Sequence, residues 1–187
     1  DSSSHLLGLI IPNIQNIFFA DLARGVEDVA YKSNYAVLLC NYDEDEAKER
    51  FYLDVMQLES VDGIILPPIH ENDPAVLQVV RHGTPVVCVD RSLSSGNLDK
   101  VEVDNHTGAM KAVEHIIAQG HKRIGLIGGP ADSSTGRERL RGYKDAHAQA
   151  GLPVKSELIR FGDFKQESGQ TLAHELLSLN DPPTALF

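Results

Sequence analysis

The feature that most constrains this chain is an alternation sustained along nearly all of its 187 residues. Short runs rich in Val, Ile and Leu are each followed by a longer stretch with helical periodicity. "LLGLII" (6–11) precedes a predicted helix at about 17–33, where Phe19, Leu22, Ala23, Val26 and Ala30 fall on one stripe. "YAVLLC" (35–40) precedes a helix from about 45, with Ala47, Phe51, Val55 and Leu58 as its expected inner face. "DGIILP", a short helix near 74–82, "TPVVCVD" and the strand "KVEVD" (100–104) come next. A helix near 106–119 turns Ala109, Ala112, Val113, Ile116 and Ile117 inward, and Gly120 closes it as a C-cap. "RIGLIGG" (123–129), a helix at 136–150 ending at Gly151, "ELIRF", a helix at 166–179 and "TALF" complete the series. Strands that are apolar throughout, joined by amphipathic helices, imply parallel sheets covered on both faces, and so an α/β fold. Eight such strands suit one large sheet, a barrel, or two Rossmann-like lobes. The rhythm breaks at 99–105, where a short strand has no helix before it. That break reads as a crossover, with one lobe over 1–103 and a second over 104–187. "TALF" ends the chain where a loop and helix normally follow a parallel strand, so the fold is expected to continue further.

Composition removes several classes of function. The formal charge is −10 with no basic block, which makes this stretch a poor nucleic-acid binder by itself, because such binding depends on neutralising phosphates. No window approaches 18 uninterrupted apolar residues, so no membrane helix is expected, and no leader peptide is visible. Cys40 and Cys88 lie in apolar runs without a C-x-x-C pattern, as buried free thiols of a reducing compartment would. The eight histidines form no ligand cluster, so no metal site is expected. The acids of "DEDE" (43–46) lack calcium-loop spacing and are better explained as stabilising a helix N-terminus.

Ligands of open α/β sheets bind outside the carboxyl ends of the strands, so those positions carry the functional reading. After the first strand comes "NIQNIFF", which has no glycine-rich phosphate cradle. Phe18 and Phe19 lie about 100° apart on a helix, so both cannot sit centrally on the buried stripe. Either ring can staple the helix to the sheet, and at least one is expected to face the cleft. After "VVCV" come Asp90 and Arg91, either a surface ion pair or a pair aimed at ligand hydroxyls. In "GGPADSSTGRERL" (128–140), Thr135 and Glu138 match the T-x-x-E capping box. Arg137 and Arg139 would then occupy a first turn that disfavours cations. That calls for another partner, either Glu138 or an acceptor in the cleft. Phe164, just past "ELIRF", is either core or ligand wall. No P-loop, G-x-S-x-G elbow or Ser/His/Asp set is present, so neither an enzyme nor a cofactor is indicated.

Taken together, "LGLIIPNIQNIFFADLARGVEDVA", "LLCNYDEDEAKE", "VDGIILPP", "TPVVCVDR", "VDNHTGAMKAVEHIIAQGHKRIGLIGGP", "STGRERLRGYKDAHAQAGLPV", "GDFKQESG" and "PPTALF" resemble the effector-binding core of the LacI/GalR family of bacterial transcriptional regulators. The resemblance implies two Rossmann-like lobes of the periplasmic-binding-protein-like type I, with effector held between them and the C-terminal part of the domain beyond Phe187. It places Asn16, Phe18, Phe19, Asp90, Arg91, Arg139 and Phe164 where ribose-type members hold their sugar, and Thr135 where some relatives contact effector. It further implies a cytoplasmic homodimer that binds ribose or a similar sugar and reaches operator DNA through a helix-turn-helix lying outside these residues. Tyr31, Tyr52 and Met56, at or beyond the edges of the inward stripes, are the expected interface residues. A transporter's periplasmic sugar-binding protein has the same fold and is the alternative.

Overall fold

In the computed structural model, which describes residues 3–187, each apolar run forms a parallel strand. The order is β1 (Leu6–Ile11), α1 (Ile17–Lys32), β2 (Ala36–Asn41), α2 (Glu46–Leu58), β3 (Gly63–Leu66), α3 (Pro74–Arg81), β4 (Val86–Val89), β5 (Asp99–Val101), α4 (Asn105–Ala118), β6 (Ile124–Gly128) and α5 (Ser134–Gln149). A 3-10 turn (Ser156–Leu158), β7 (Ile159–Phe161), α6 (Gln166–Leu177) and β8 (Ala185–Leu186) follow. The chain divides into two units, one running to Glu102 and the other over Val103–Phe187.

The first unit is built on a sheet of order β2-β1-β3-β4-β5, parallel throughout. β1 is apolar on both faces because both are covered. Ile10 packs with Leu53 and Met56 of α2 and Val76 and Val79 of α3, whereas Leu9 and Ile11 pack with Phe19 of α1. Each such side chain taken out of water stabilises the fold by about 1.5–3 kcal/mol. Gly8 leaves room for Met56, since a Cβ there would lie 2.6 Å from Met56 Sδ. The second unit has the order β7-β6-β8. Its core joins Val113 of α4, Ile124 and Leu126 of β6, and Tyr143 and Ala146 of α5. A Cβ on Gly142 would meet the His106 carbonyl oxygen at 2.4 Å, so the glycine lets α4 and α5 cross backbone to backbone.

Among the described residues, five of the six α-helices start at a side-chain cap: Asn16, Asp45, Asp73, Asp104 and Ser133 each accept from amides of the first turn. The "DEDE" run divides its work accordingly. Asp45 caps α2, Glu46 lies in its first turn, Asp43 pairs with Lys48 at 2.5 Å, and Glu44 reaches Arg91. Gly120 and Gly151 adopt φ of +95° and +65°, just past the ends of α4 and α5, which is the backbone a terminating glycine supplies. Cys40 and Cys88 are free thiols. No helix of the described residues is long and apolar enough to cross a membrane.

Several expectations are corrected. The buried stripe of α2 is Glu49, Leu53 and Met56, while Phe51 and Leu58 are 60% and 82% exposed. The true stripe contains a carboxylate, so hydrophobic periodicity selects the wrong face. Met56 is fully buried and cannot serve as an interface residue, unlike exposed Tyr31 and half-buried Tyr52. On α4, Ala109 and Val113 are buried as expected, but Ala112 is exposed. The fifth strand covers Asp99–Val101 rather than 100–104. α5 begins at Ser134 and is capped by Ser133, so Thr135 is not the cap. Gly136 explains the choice. A Cβ there would meet the Pro130 carbonyl oxygen at 2.6 Å and Ser133 Oγ at 2.7 Å, so the turn closes tightly around Ser133.

Candidate functional site

In the second unit, the carboxyl ends of the strands open onto a cavity of about 590 Å³. Its floor is the β6 terminus with Gly128 and Gly129, and its walls include Gly162, Phe164, Lys165 and Phe187. α4 contributes its first turn, including Asn105 and Gly108, and α5 contributes Arg139.

Phe164 is placed by two conditions. Its φ of +65° is costly for a bulky residue, on the order of 1–3 kcal/mol, and such strain persists only where the surroundings impose it. The ring is seated over Gly129, where a Cβ would come within 2.1 Å of its carbons. Gly129 therefore serves as a seat for an aromatic ring rather than as part of a phosphate loop. The ring stays partly exposed and lines the cavity.

Arg139 is also fixed. Its Nε donates to Asn105 Oδ1 at 2.9 Å, and Asn105 Nδ2 donates to the Val103 carbonyl at 3.2 Å. Because α5 starts at Ser134, Arg139 lies beyond the first turn and the helix dipole does not act against it. Glu138 instead interacts with Arg141 at 2.6 Å and Arg137 at 3.7 Å. Of the two arginines, Arg139 is the one that lines the cavity. Thr135 is buried in the first turn of α5, and its Oγ1 has no hydrogen-bond partner among the described residues. Such a buried hydroxyl costs about 1–3 kcal/mol unless something accepts or donates to it.

In the first unit, Asn16 caps α1 by accepting from the Phe18 amide at 3.0 Å. Phe18 and Phe19 meet edge to face at 5.1 Å. Phe19 is 5% exposed, within the α1–sheet core, whereas Phe18 is 42% exposed. One ring thus staples the helix and the other is presented outward. Asp90 follows β4 at φ +62°, with its amide donating to Val101 O at 2.9 Å. Arg91 is buried, and both of its terminal nitrogens engage the Glu44 carboxylate, Nη1 to Oε2 at 2.8 Å and Nη2 to Oε1. Asp90 Oδ2 is 3.8 Å from Arg91 Nε. The Asp90–Arg91 contact is therefore one edge of a larger buried network, not a surface pair.

A second buried polar group of this unit escaped the sequence reading. Glu49 is 2% exposed, accepts from the Ile69 amide at 3.3 Å, and is hydrogen-bonded to Asp73. Burial first, and then the bond to Asp73 and its charge, push the Glu49 carboxyl up to about 9. Asp73 accepts from the amides of Ala75 and Val76 at 3.1 and 3.2 Å. Glu49 therefore keeps its proton in the folded chain.

Comparison with known proteins bears on what such a chain does. The sequence model described as "Periplasmic binding proteins and sugar binding domain of LacI family" matches residues 4–187. The chain is 35% identical to catabolite control protein A of Priestia megaterium over 97% of this chain and 55% of that protein. It is 33% identical to the HTH-type transcriptional repressor CytR of Escherichia coli K12 over 100% of this chain and 54% of that one. Among solved structures it resembles one described as a ribose operon repressor from Burkholderia thailandensis. The TM-score there is 0.89 and the identity 40%, over 98% of this chain and 68% of that one. CcpA of Lactococcus lactis superposes with a TM-score of 0.89 at 28% identity, over 100% of this chain and 67% of that chain. The chain spans about half the length of the curated relatives it matches.

Proposed function

Since the chain belongs to the LacI family, through the sugar-binding domain that family shares with periplasmic binding proteins, we propose that it is the effector-binding core of a DNA-binding transcriptional regulator and performs no catalysis. The two units are then the lobes of that core. The observation that carries the reading is the cavity of the second unit. It pairs an aromatic face, Phe164, with a guanidinium, Arg139, whose terminal nitrogens make no hydrogen bond within the described residues. A ring with an apolar face and a hydroxyl edge uses both, one by packing and the other by accepting hydrogen bonds. Ribose or a close pentose is the proposed effector, supported by the likeness to a structure described as a ribose operon repressor. Asn16, outward-facing Phe18 and Asp90 are the contacts assigned to the first unit. Phe19 and Arg91 are buried, and their proposed role is to support those contacts, while buried Thr135 is proposed to support the effector contacts of the second unit. The intact regulator is proposed to be a cytoplasmic homodimer that reaches operator DNA through a segment outside these residues. CytR is named a transcriptional repressor and the Burkholderia structure is described as a ribose operon repressor, which favours this reading over a transporter's sugar-binding protein.

Calorimetry of the intact protein against ribose, hexoses and purines tests the assignment. Ribose is expected to bind, and Asp90→Ala should weaken it by about 1.5–3 kcal/mol for each hydrogen bond to the charged carboxylate that is lost. Binding of a purine with no response to any sugar would overturn it.

A further inference from the structure

Arg139 and Asn105 are 34 residues apart in sequence yet joined by a 2.9 Å hydrogen bond at the wall of the cavity. The bond uses Nε, the one guanidinium nitrogen inside the chain of the side arm, and leaves the outer edge with Nη1 and Nη2. A guanidinium is a planar fork, so fixing Nε fixes the plane in which the other donors point. Asn105 is in turn fixed at both ends of its amide. Oδ1 accepts from Arg139 and Nδ2 donates to Val103 O at 3.2 Å, so the carboxamide cannot flip without breaking both bonds. It also sits on the first residue of α4, whose cap, Asp104, accepts from the Thr107 amide at 2.9 Å. Gly142 lets α4, which carries Asn105, lie directly against α5, which carries Arg139. The neighbouring carboxylate, Glu138, does not compete for Arg139, because it is bound to Arg141 and Arg137.

We propose that Asn105 is a positioning residue that orients Arg139 so that its two terminal nitrogens present a bidentate donor edge to neighbouring oxygens of the effector. This rests on the assignment of the cavity as the effector site. The chemistry it selects is a pair of adjacent acceptors, as on a vicinal diol, rather than a single isolated oxygen. An arginine free to rotate would lose part of the binding energy to ordering the side chain, and would accept ligands with one oxygen as readily as with two.

Two measurements test the idea, and they fail separately. The first needs no ligand: by NMR, the Arg139 Nε–H should exchange slowly with solvent in the intact protein and rapidly in Asn105→Ala. Equal exchange in the two proteins overturns the orienting bond. The second is D-ribose affinity in a double-mutant cycle. Asn105→Ala is expected to weaken binding about tenfold, the usual scale for one lost hydrogen bond to a charged group. In an Arg139→Ala background it should cost nothing further, because it acts only through that side chain. Asn105→Asp keeps an acceptor for Nε and should restore affinity. Equal loss in both backgrounds, or no rescue by Asp, overturns the positioning role. If the wild-type protein ignores ribose while the exchange result holds, the sugar assignment fails and the orienting bond stands.

Discussion

Glu49 shows how one residue can carry the pH response of the fold. Its folded pKa, about 9, lies above the ordinary carboxyl value of 4.5, so the native state holds a proton there that the unfolded chain releases. Stability from this group is fully present below the unfolded value, is lost progressively as pH rises, and is gone above about 9. Glu49→Gln keeps a donor for Asp73 and an acceptor for the Ile69 amide without needing that proton. Urea unfolding at pH 5, 7 and 9 should show the variant gaining on wild type as pH rises, by about 1 kcal/mol or more at pH 8. A variant that loses stability at every pH would mean that Glu49 is held ionised. Arg91 belongs to the same scale. Its partner Glu44 lies 47 positions away, so neither residue advertises the other in the sequence.

At the scale of elements, capping and helix contact decide how α5 starts and where it lies. Ser133 accepts from the Gly136 amide at 3.1 Å and donates to Pro130 O at 2.9 Å, while Glu138 pairs with the side chains of Arg141 and Arg137. Ser133→Ala should therefore lower stability by about 1 kcal/mol, whereas Glu138→Ala should change it by less than about half of that. Thermal melts of the two variants check this, and the reverse order would restore Thr135 as the cap. The sequence "DSST" offers four consecutive capping side chains, and local pattern ranks them by the Glu three positions later. The tertiary turn at Pro130 and Gly136 ranks them differently. The inner face of α1 was legible because no charged residue interrupts it. That of α2 was not, because Glu49 occupies the stripe.

For the whole molecule, charge is the property that acts at a distance. With 17 basic and 27 acidic residues, these 187 residues should not retain DNA in a gel shift at physiological salt. Specific retention of an operator fragment would place a reading surface inside this chain and overturn the proposal that it lies elsewhere. In the intact regulator, effector is expected to shift operator affinity by a coupling on the order of 1–3 kcal/mol. Tyr31 remains an exposed candidate for self-association, and Met56 does not.

The element series and the parallel sense of the strands were legible from the sequence alone. Apolar periodicity and terminating glycines are local consequences of backbone geometry, and they survive without knowledge of distant contacts. The sequence also required that one of Phe18 and Phe19 turn away from the core, because adjacent helical positions cannot share a face. Only packing decided that Phe19 is the buried one. Only packing joined Arg91 to Glu44, Glu49 to Asp73, Arg139 to Asn105, and the Phe164 ring to Gly129. Each of those pairings links residues far apart in the chain, and a polar side chain chooses such a partner by which carboxylate, amide or open backbone the fold brings within about 3 Å.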